Sequence, residues 1–261
     1  MPARKYRQAL EEQYSRFHRR RYVHPDPLEF LYACDDPADR EIVALVASSL
    51  AYGRVAQILV SVRRVLDRLG ESPAKYLRDT TPARMRTDLA DIKHRWTTGG
   101  DIAAMLAGAR RTVRRHGSLG ACLAGAIAPG DATVLPGLAG LVGELTHFAP
   151  AASLLPDPAR GSACKRLHLM LRWLVRRDRV DPGGWERHVR PGMLIVPVDV
   201  HMHRIARAMG LTIRKAGDGR AAAEITRAFA ALHPDDPVRY DFSLTRMGIH
   251  PDVDTAGFLN K

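Results

Sequence analysis

The stretch Pro197-Val198-Asp199-Val200-His201-Met202-His203-Arg204-Ile205-Ala206-Arg207-Ala208-Met209 decides how the chain is read. Val200, Met202, Ile205, Ala206 and Met209 make an amphipathic helical run, and Asp199 stands where a helix N-cap belongs. The positive end of the helix dipole holds an aspartate there as an anion. Thirty-four residues before Asp199 comes Gly161-Ser162-Ala163-Cys164-Lys165. Ser162 is a good N-cap, which predicts a helix over 163–177 with Lys165 in its first turn and Leu167, Met170, Leu171 and Leu174 on one face.

Lys165 stands out because only six of the forty basic residues are lysines, so arginine is the default cation of this chain. Arginine stays protonated, whereas a partly desolvated lysine can attack an electrophilic carbon such as a sugar C1′. The dipole at a helix start disfavours an extra ammonium charge, which helps such an amine. An ionised Asp199 in an apolar cleft would stabilise positive charge developing on a ribose ring, or orient the attack. The ordinary alternatives are a phosphate-contacting cation and a plain helix cap.

Helical signals dominate the rest. Asp36-Pro37 predicts a helix over 38–51, broad enough in its apolar residues to be buried. Ile58, Leu59, Val62, Val65, Leu66 and Leu69 predict a second over 55–69, stopped at Gly70. Weaker patterns cover 5–21, 84–93, 101–115, 118–127, 134–147, 219–232 and 237–248, with 200–209 following Asp199. Met193-Leu194-Ile195-Val196 is the single strand candidate. The pattern is that of an all-α protein.

With 261 residues and 46% apolar content, the chain can bury one large core or two modest ones. The opening Met1-Pro2-Ala3-Arg4-Lys5 lacks the apolar run of a signal peptide, and nothing approaches the ~18 apolar residues of a membrane span. The expectation is a cytoplasmic protein without membrane association. Cys34, Cys122 and Cys164 are scattered without a CxxC pair, which excludes a disulfide framework and a cysteine-held cluster. A net charge of +12 favours a polyanion, and nucleic acid leads. The basic residues Arg160, Lys165, Arg166, Arg172, Arg176, Arg177 and Arg179 face Asp178 alone along the 163–177 helix and its flank.

Asp199, His201 and His203 form D-x-H-x-H, which invites a metal reading. On a helix, residues two apart point away from each other, so neither a metal nor another cofactor is expected. His201 on the polar face is suited to a backbone or phosphate bond. Trp96, Trp173 and Trp185 are candidates for stacking on a base, as is Tyr52 between two helices beside Gly53 and Arg54. Of these, Tyr52 and Trp173 are the preferred substrate contacts.

The string from Val198 to Leu211 resembles the V-D-x-H-x-x-R-x-x-x-R-x-G-L string of the helix-hairpin-helix DNA glycosylase superfamily, which includes endonuclease III and the 8-oxoguanine glycosylases. Gly161 to Lys165 is similar to that superfamily's G-x-G-x-K hairpin, in the same order along the chain. Residues 39–77 resemble its early helical pair, and 238–249 its final helix. The runs Gly161–Trp173, Pro197–Leu211 and Asp236–Ile249 are also similar to a bacterial family of conserved hypothetical proteins with no assigned activity.

The resemblance implies a two-lobed helical fold with a cleft, lobe one at 38–150 and lobe two at 1–37 plus 151–261. It implies a monomer acting on damaged double-stranded DNA in the nucleoid, with Lys165 as nucleophile and Asp199 as catalytic carboxylate. Tyr52, Arg54, Gly161, Ser162, Arg166, Trp173, His201 and Arg204 would contact substrate or DNA. Two departures stand out. Ala163 replaces the second hairpin glycine, and the lysine-to-aspartate interval is lengthened by an insertion containing Asp181-Pro182-Gly183-Gly184-Trp185. The enlarged span resembles the archaeal 8-oxoguanine glycosylases and points to oxidised purines. The superfamily's four-cysteine iron-sulfur motif is absent. The competing readings are a non-catalytic DNA- or RNA-binding protein and a metal-dependent hydrolase.

Overall fold

The computed structural model describes residues 2–147 and 153–247, and these are mostly helical. The N-terminal helices α1 (Pro2–Lys5) and α2 (Arg7–Phe17) lead through 3-10 turns, including Pro27–Ala33, into α3 (Pro37–Ser49). Asp36 caps α3 by accepting from Ala38 N at 2.9 Å, with proline at the first helical position. After α4 (Val55–Leu69), Ser72 and Thr81 cap the short helices α5 (Pro73–Asp79) and α6 (Pro82–Asp88). The strands β1 (Lys93–His94) and β2 (Thr97–Thr98) form a two-residue antiparallel pair. Thr98 and Asp101 then make a reciprocal capping box that starts α7 (Gly99–His116). α8 (Leu119–Gly125), α9 (Leu135–Thr146), α10 (Lys165–Val175), α11 (Val200–Ala208), α12 (Gly219–Ala230) and α13 (Asp241–Met247) complete the order.

The core centres on α3 and α10, which pack on each other. Every residue of α3 from Glu41 to Ser49 is buried, and α10 is buried from Leu167 to Val175 except for Leu169. Helices apolar over most of their circumference have no solvent face to offer and end up inside. Among the described residues, no helix is long and apolar enough to cross a membrane.

α10 also carries two arginines into that interior. Arg172 donates from Nε to Asp181 Oδ1 at 3.2 Å and from Nη1 to Asp241. Arg176 reaches Asp181 Oδ2 at 2.5 Å and Asp236 Oδ2 at 3.0 Å, with Asp178 at 2.8 Å. Both arginines are buried and paired, so these two of the seven basic residues expected along the helix and its flank are internal rather than phosphate-facing, while Arg160, Arg177 and Arg179 are exposed. Asp178 and Asp181 lie nearby in the chain, whereas Asp236 and Asp241 come from far along it, which local charge counting misses. Asp181 belongs to the segment 181–185, and this segment closes the end of α10: Gly183 N donates to Trp173 O at 3.0 Å and Trp185 N to Leu174 O at 2.7 Å. Those two carbonyls would otherwise be orphaned at the helix terminus.

Several expectations are corrected. Residues 193–196 form no strand, since no partner strand adjoins them among the described residues; Val196 N instead donates to Thr226 Oγ1 at 3.0 Å. Ser162 does not cap α10. Its hydroxyl accepts from Cys164 N at 3.2 Å, Cys164 takes a left-handed conformation with φ 45°, and the helix begins at Lys165. Trp173, expected at the substrate, is 1% exposed and belongs to the core. The end of the 237–248 helix and the end of the first lobe at 148–150 lie outside the described residues.

Removing one member of a buried ion network strands its partners without water. Asp181→Asn is therefore expected to lower unfolding free energy by about 3 kcal/mol in urea melts, while Asp91→Asn on the surface leaves the midpoint nearly unchanged. Burial raises the Asp178 carboxyl, but the hydrogen bond from His18 and the Arg176 charge outweigh it and hold it well below the usual range. A carboxyl lowered in the folded state stabilises fully above its unfolded value, about 3.9, and loses that contribution as pH falls toward the folded one. Asp178→Asn should accordingly show a flatter loss of stability than the parent when melts are compared from about pH 5 downward.

Candidate active site

Lys165 opens α10 and Asp199 caps α11, and the packing of the two helix starts brings their side chains together. Lys165 Nζ lies 3.8 Å from Asp199 Oδ2, with the side chains 30% and 28% exposed. The other aspartate oxygen, Oδ1, accepts from Met202 N at 2.8 Å. One carboxylate thus serves two ends: Oδ1 satisfies a helix N–H, and Oδ2 faces the amine.

Both side chains line a pocket of about 130 Å³. Ala51, Val55 and Ile58 from the α3–α4 region supply an apolar side, and Pro197 and Phe242 add to it. The polar lining includes Arg172, Asp241, Arg246 and Asp26, joined as the ion pairs Arg172–Asp241 and Arg246–Asp26. Burial pushes the Asp241 carboxyl up to about 6 against the pull of Arg172, and the neighbouring Asp199 charge acts in the same direction as burial. An amine, a fixed carboxylate and a paired-charge lining can hold a polar ring and exchange a proton with it.

Tyr52 stands next to Ala51 and carries a layered stack. Its hydroxyl donates to His94 O at 3.0 Å and lies 2.6 Å from Thr97 Oγ1, so the β1–β2 hairpin fixes the ring. Trp96, 61% exposed, stacks on it with centroids 4.9 Å apart and planes 25° apart. The Arg95 guanidinium lies 4.7 Å from the Trp96 ring centre, and that of Arg166 lies 5.0 Å from the Tyr52 ring centre. Arg166 is anchored by donating to Ser49 O at 2.7 Å. Gly53, at φ 100°, leaves room for Arg95: a Cβ there would sit 3.0 Å from the Arg95 side chain. Exposed aromatics interleaved with guanidinium groups are suited to stacking on bases.

The remaining candidates are dispersed. Arg54 is exposed at the start of α4, and His201 and Arg204 are exposed on α11. His203 Nε2 is 3.1 Å from Arg214 O. Gly161 is left-handed at φ 77°, and its carbonyl accepts from Gly219 N at 2.9 Å, so this turn is packed against the start of α12. Among the described residues, no group of three His, Cys, Asp or Glu side chains is disposed to hold a metal ion. The sequence reading prefers Trp173 over Trp96; the signal pointing the other way is that Trp96 sits by Thr97-Thr98-Gly99-Gly100, a turn-rich stretch, whereas Trp173 keeps helical spacing with Met170 and Leu174. The polar lining drawn from Asp26, Arg172, Asp241 and Arg246 has no local sequence signal.

An all-α protein with a lysine and a carboxylate converging at two helix starts is thus defined. Residues 26–250 match the family described as Protein of unknown function (DUF2400), and the chain belongs to that family. No curated protein and no solved structure matches it.

Trp173 and Trp185 are buried at 1% and 2%, so the quencher-accessible part of the emission belongs to Trp96. Acrylamide quenching of the parent protein should show one accessible component, and Trp96→Phe should remove it while leaving a blue-shifted remainder.

Proposed function

We propose that this protein is a DNA base-excision glycosylase with lyase activity, built as a two-lobed helix-hairpin-helix fold whose cleft receives duplex DNA. It acts as a monomer in the nucleoid, on a damaged base flipped out of the helix, with oxidised purines the first lesion class to test. The observation that carries the reading is the approach of Lys165 Nζ to 3.8 Å from Asp199 Oδ2 at a pocket with a charged, paired lining.

In this reading Lys165 gives up its ammonium proton to solvent water and its Nζ attacks C1′ of the damaged nucleotide. The C1′–N bond breaks, the base leaves with the proton shed by the attacking nitrogen, and the C1′–O4′ bond then breaks, O4′ taking the remaining nitrogen proton as the imine forms on Lys165. Asp199, held as an anion at its helix start, stabilises the positive charge that builds on the sugar as the base departs. Tyr52 and Trp96 stack on unpaired bases beside the pocket, which supports a nucleic-acid substrate. Arg54, Arg166, His201 and Arg204 contact phosphates, and the Gly161-Ser162 turn follows the backbone.

A second reading is a non-catalytic DNA- or RNA-binding protein, favoured by the resting ion pair that neutralises Lys165. Borohydride trapping separates the two. The parent protein should become covalently linked to duplex DNA carrying an oxidised purine or an abasic site, and Lys165→Gln should give no adduct while keeping salt-sensitive binding. Asp199→Asn should slow base release about a hundredfold. If no lesion in a broad panel is trapped or loses its base, the binding reading stands and the glycosylase reading fails.

A further inference from the structure

α7 ends in four arginines whose fates differ. Arg111 and Arg115 both pair with Glu144 of α9, at 2.6 and 3.1 Å. Arg110 and Arg114, one turn apart, make no ion pair with any described residue. Arg110 donates one Nη to Arg78 O at 3.3 Å, and its Nε is buried without a partner. Like charges at this spacing repel, so the pair raises the energy of an empty α7.

Both side chains line a second pocket, of about 430 Å³, between the start of α3, α5, α7 and residues 184–188. It shares no lining residue with the Lys165–Asp199 pocket. Its walls are apolar, from Ile42, Leu77, Val113 and the ring of Trp185, and His188 adds a further nitrogen base. The single acid lining it is Glu41, and Glu41 is already used. Its oxygens accept from Leu119 N at 3.2 Å and Trp185 Nε1 at 3.1 Å. Those hydrogen bonds occupy the carboxylate, and Glu41 makes no ion pair with Arg110 or Arg114.

We infer that this second pocket binds a small amphipathic anion: an aryl or alkyl body against Ile42, Leu77 and Trp185, with one carboxylate, sulfonate or phosphate held by Arg110 and Arg114. An anion bridging the two guanidinium groups removes their repulsion and forms charge-assisted hydrogen bonds, and the concave apolar wall shields them from water. A polyanion such as DNA would satisfy the arginines but leave that wall uncovered.

The test compares two dyes of nearly the same shape, anilinonaphthalene sulfonate and its uncharged relative N-phenylnaphthylamine, by calorimetry and fluorescence titration on the full chain. The sulfonate should bind one molecule per chain, about tenfold or more tightly than the uncharged dye. Arg110→Ala with Arg114→Ala should erase that preference. Ala38→Phe, at an exposed lining position, should block both dyes while leaving both arginines in place. Thermal melts report whether each variant is folded, and Arg110→Gln with Arg114→Gln replaces the alanine pair if that pair unfolds. Equal affinity for the two dyes, a preference that survives loss of both arginines, binding unaffected by Ala38→Phe, or no saturable binding would each overturn the inference. Lys165→Gln should leave dye binding unchanged, so the outcome is independent of trapping at Lys165.

Discussion

The structure depends on the buried pairing of Arg172 and Arg176 with Asp181, Asp236 and Asp241. Guanidinium groups inside a helical core are tolerable only when each finds acids at hydrogen-bond distance, because unpaired charge in that environment costs several kcal/mol. The requirement joins three stretches that helix packing alone would leave loosely related: α10, the segment 181–185 after it, and α13. Arg172 lies seven residues beyond Lys165, two turns along the same face of α10. Arg172 and Asp241 also line the pocket, so the candidate site rests on the network that stabilises the fold. A shift of α13 or of the segment 181–185 would uncover charge at the pocket wall.

The same helix holds α3 near both ends. Arg166 donates to Ser49 O close to its C-terminus, and Trp185, in the segment trailing α10, donates to Glu41 near its N-terminus. The two pockets therefore flank opposite ends of one helix, one ringed by Lys165, Asp199 and the paired charges, the other by Arg110, Arg114 and an apolar wall. The segment 181–185 is tied closely to the helices around it. It supplies the acid for Arg172 and Arg176, the acceptor-closing N–H groups at the end of α10, and the indole that engages Glu41.

The helical character and the cap at Asp199 were legible because both are local: period, cap residue and dipole act within a few residues. Trp173 is a case where the local pattern carried the answer and was outweighed; its spacing with Met170 and Leu174 marks a core position. The start of α10 was not legible. Ser162 has the chemistry of a cap, but a left-handed turn at Cys164 lies between it and the helix, and a non-glycine residue in that conformation has no sequence signature. The interior arginines were misread for a different reason. Arg172 pairs with Asp181 and Asp241, 9 and 69 positions away, and Arg176 pairs with Asp236, 60 positions away, besides the nearby Asp178 and Asp181; no count of neighbouring charges reports the long-range pairings made by the fold. The Tyr52–Trp96 stack has the same origin, since a short hairpin more than forty residues downstream brings the second ring to the first.

The divided carboxylate of Asp199 has a consequence for its direction. A free aspartate samples rotamers, and aiming it at a chosen point costs side-chain entropy each time. Here the hydrogen bond from Met202 N to Oδ1 fixes the plane of the group, and the first turn of α11 fixes the hydrogen bond. The orientation of Oδ2 is therefore set by backbone geometry rather than by whatever occupies the pocket. Should Lys165 swing away to meet a ligand, the anion it leaves behind keeps its bearing, a compass needle pinned to the helix axis.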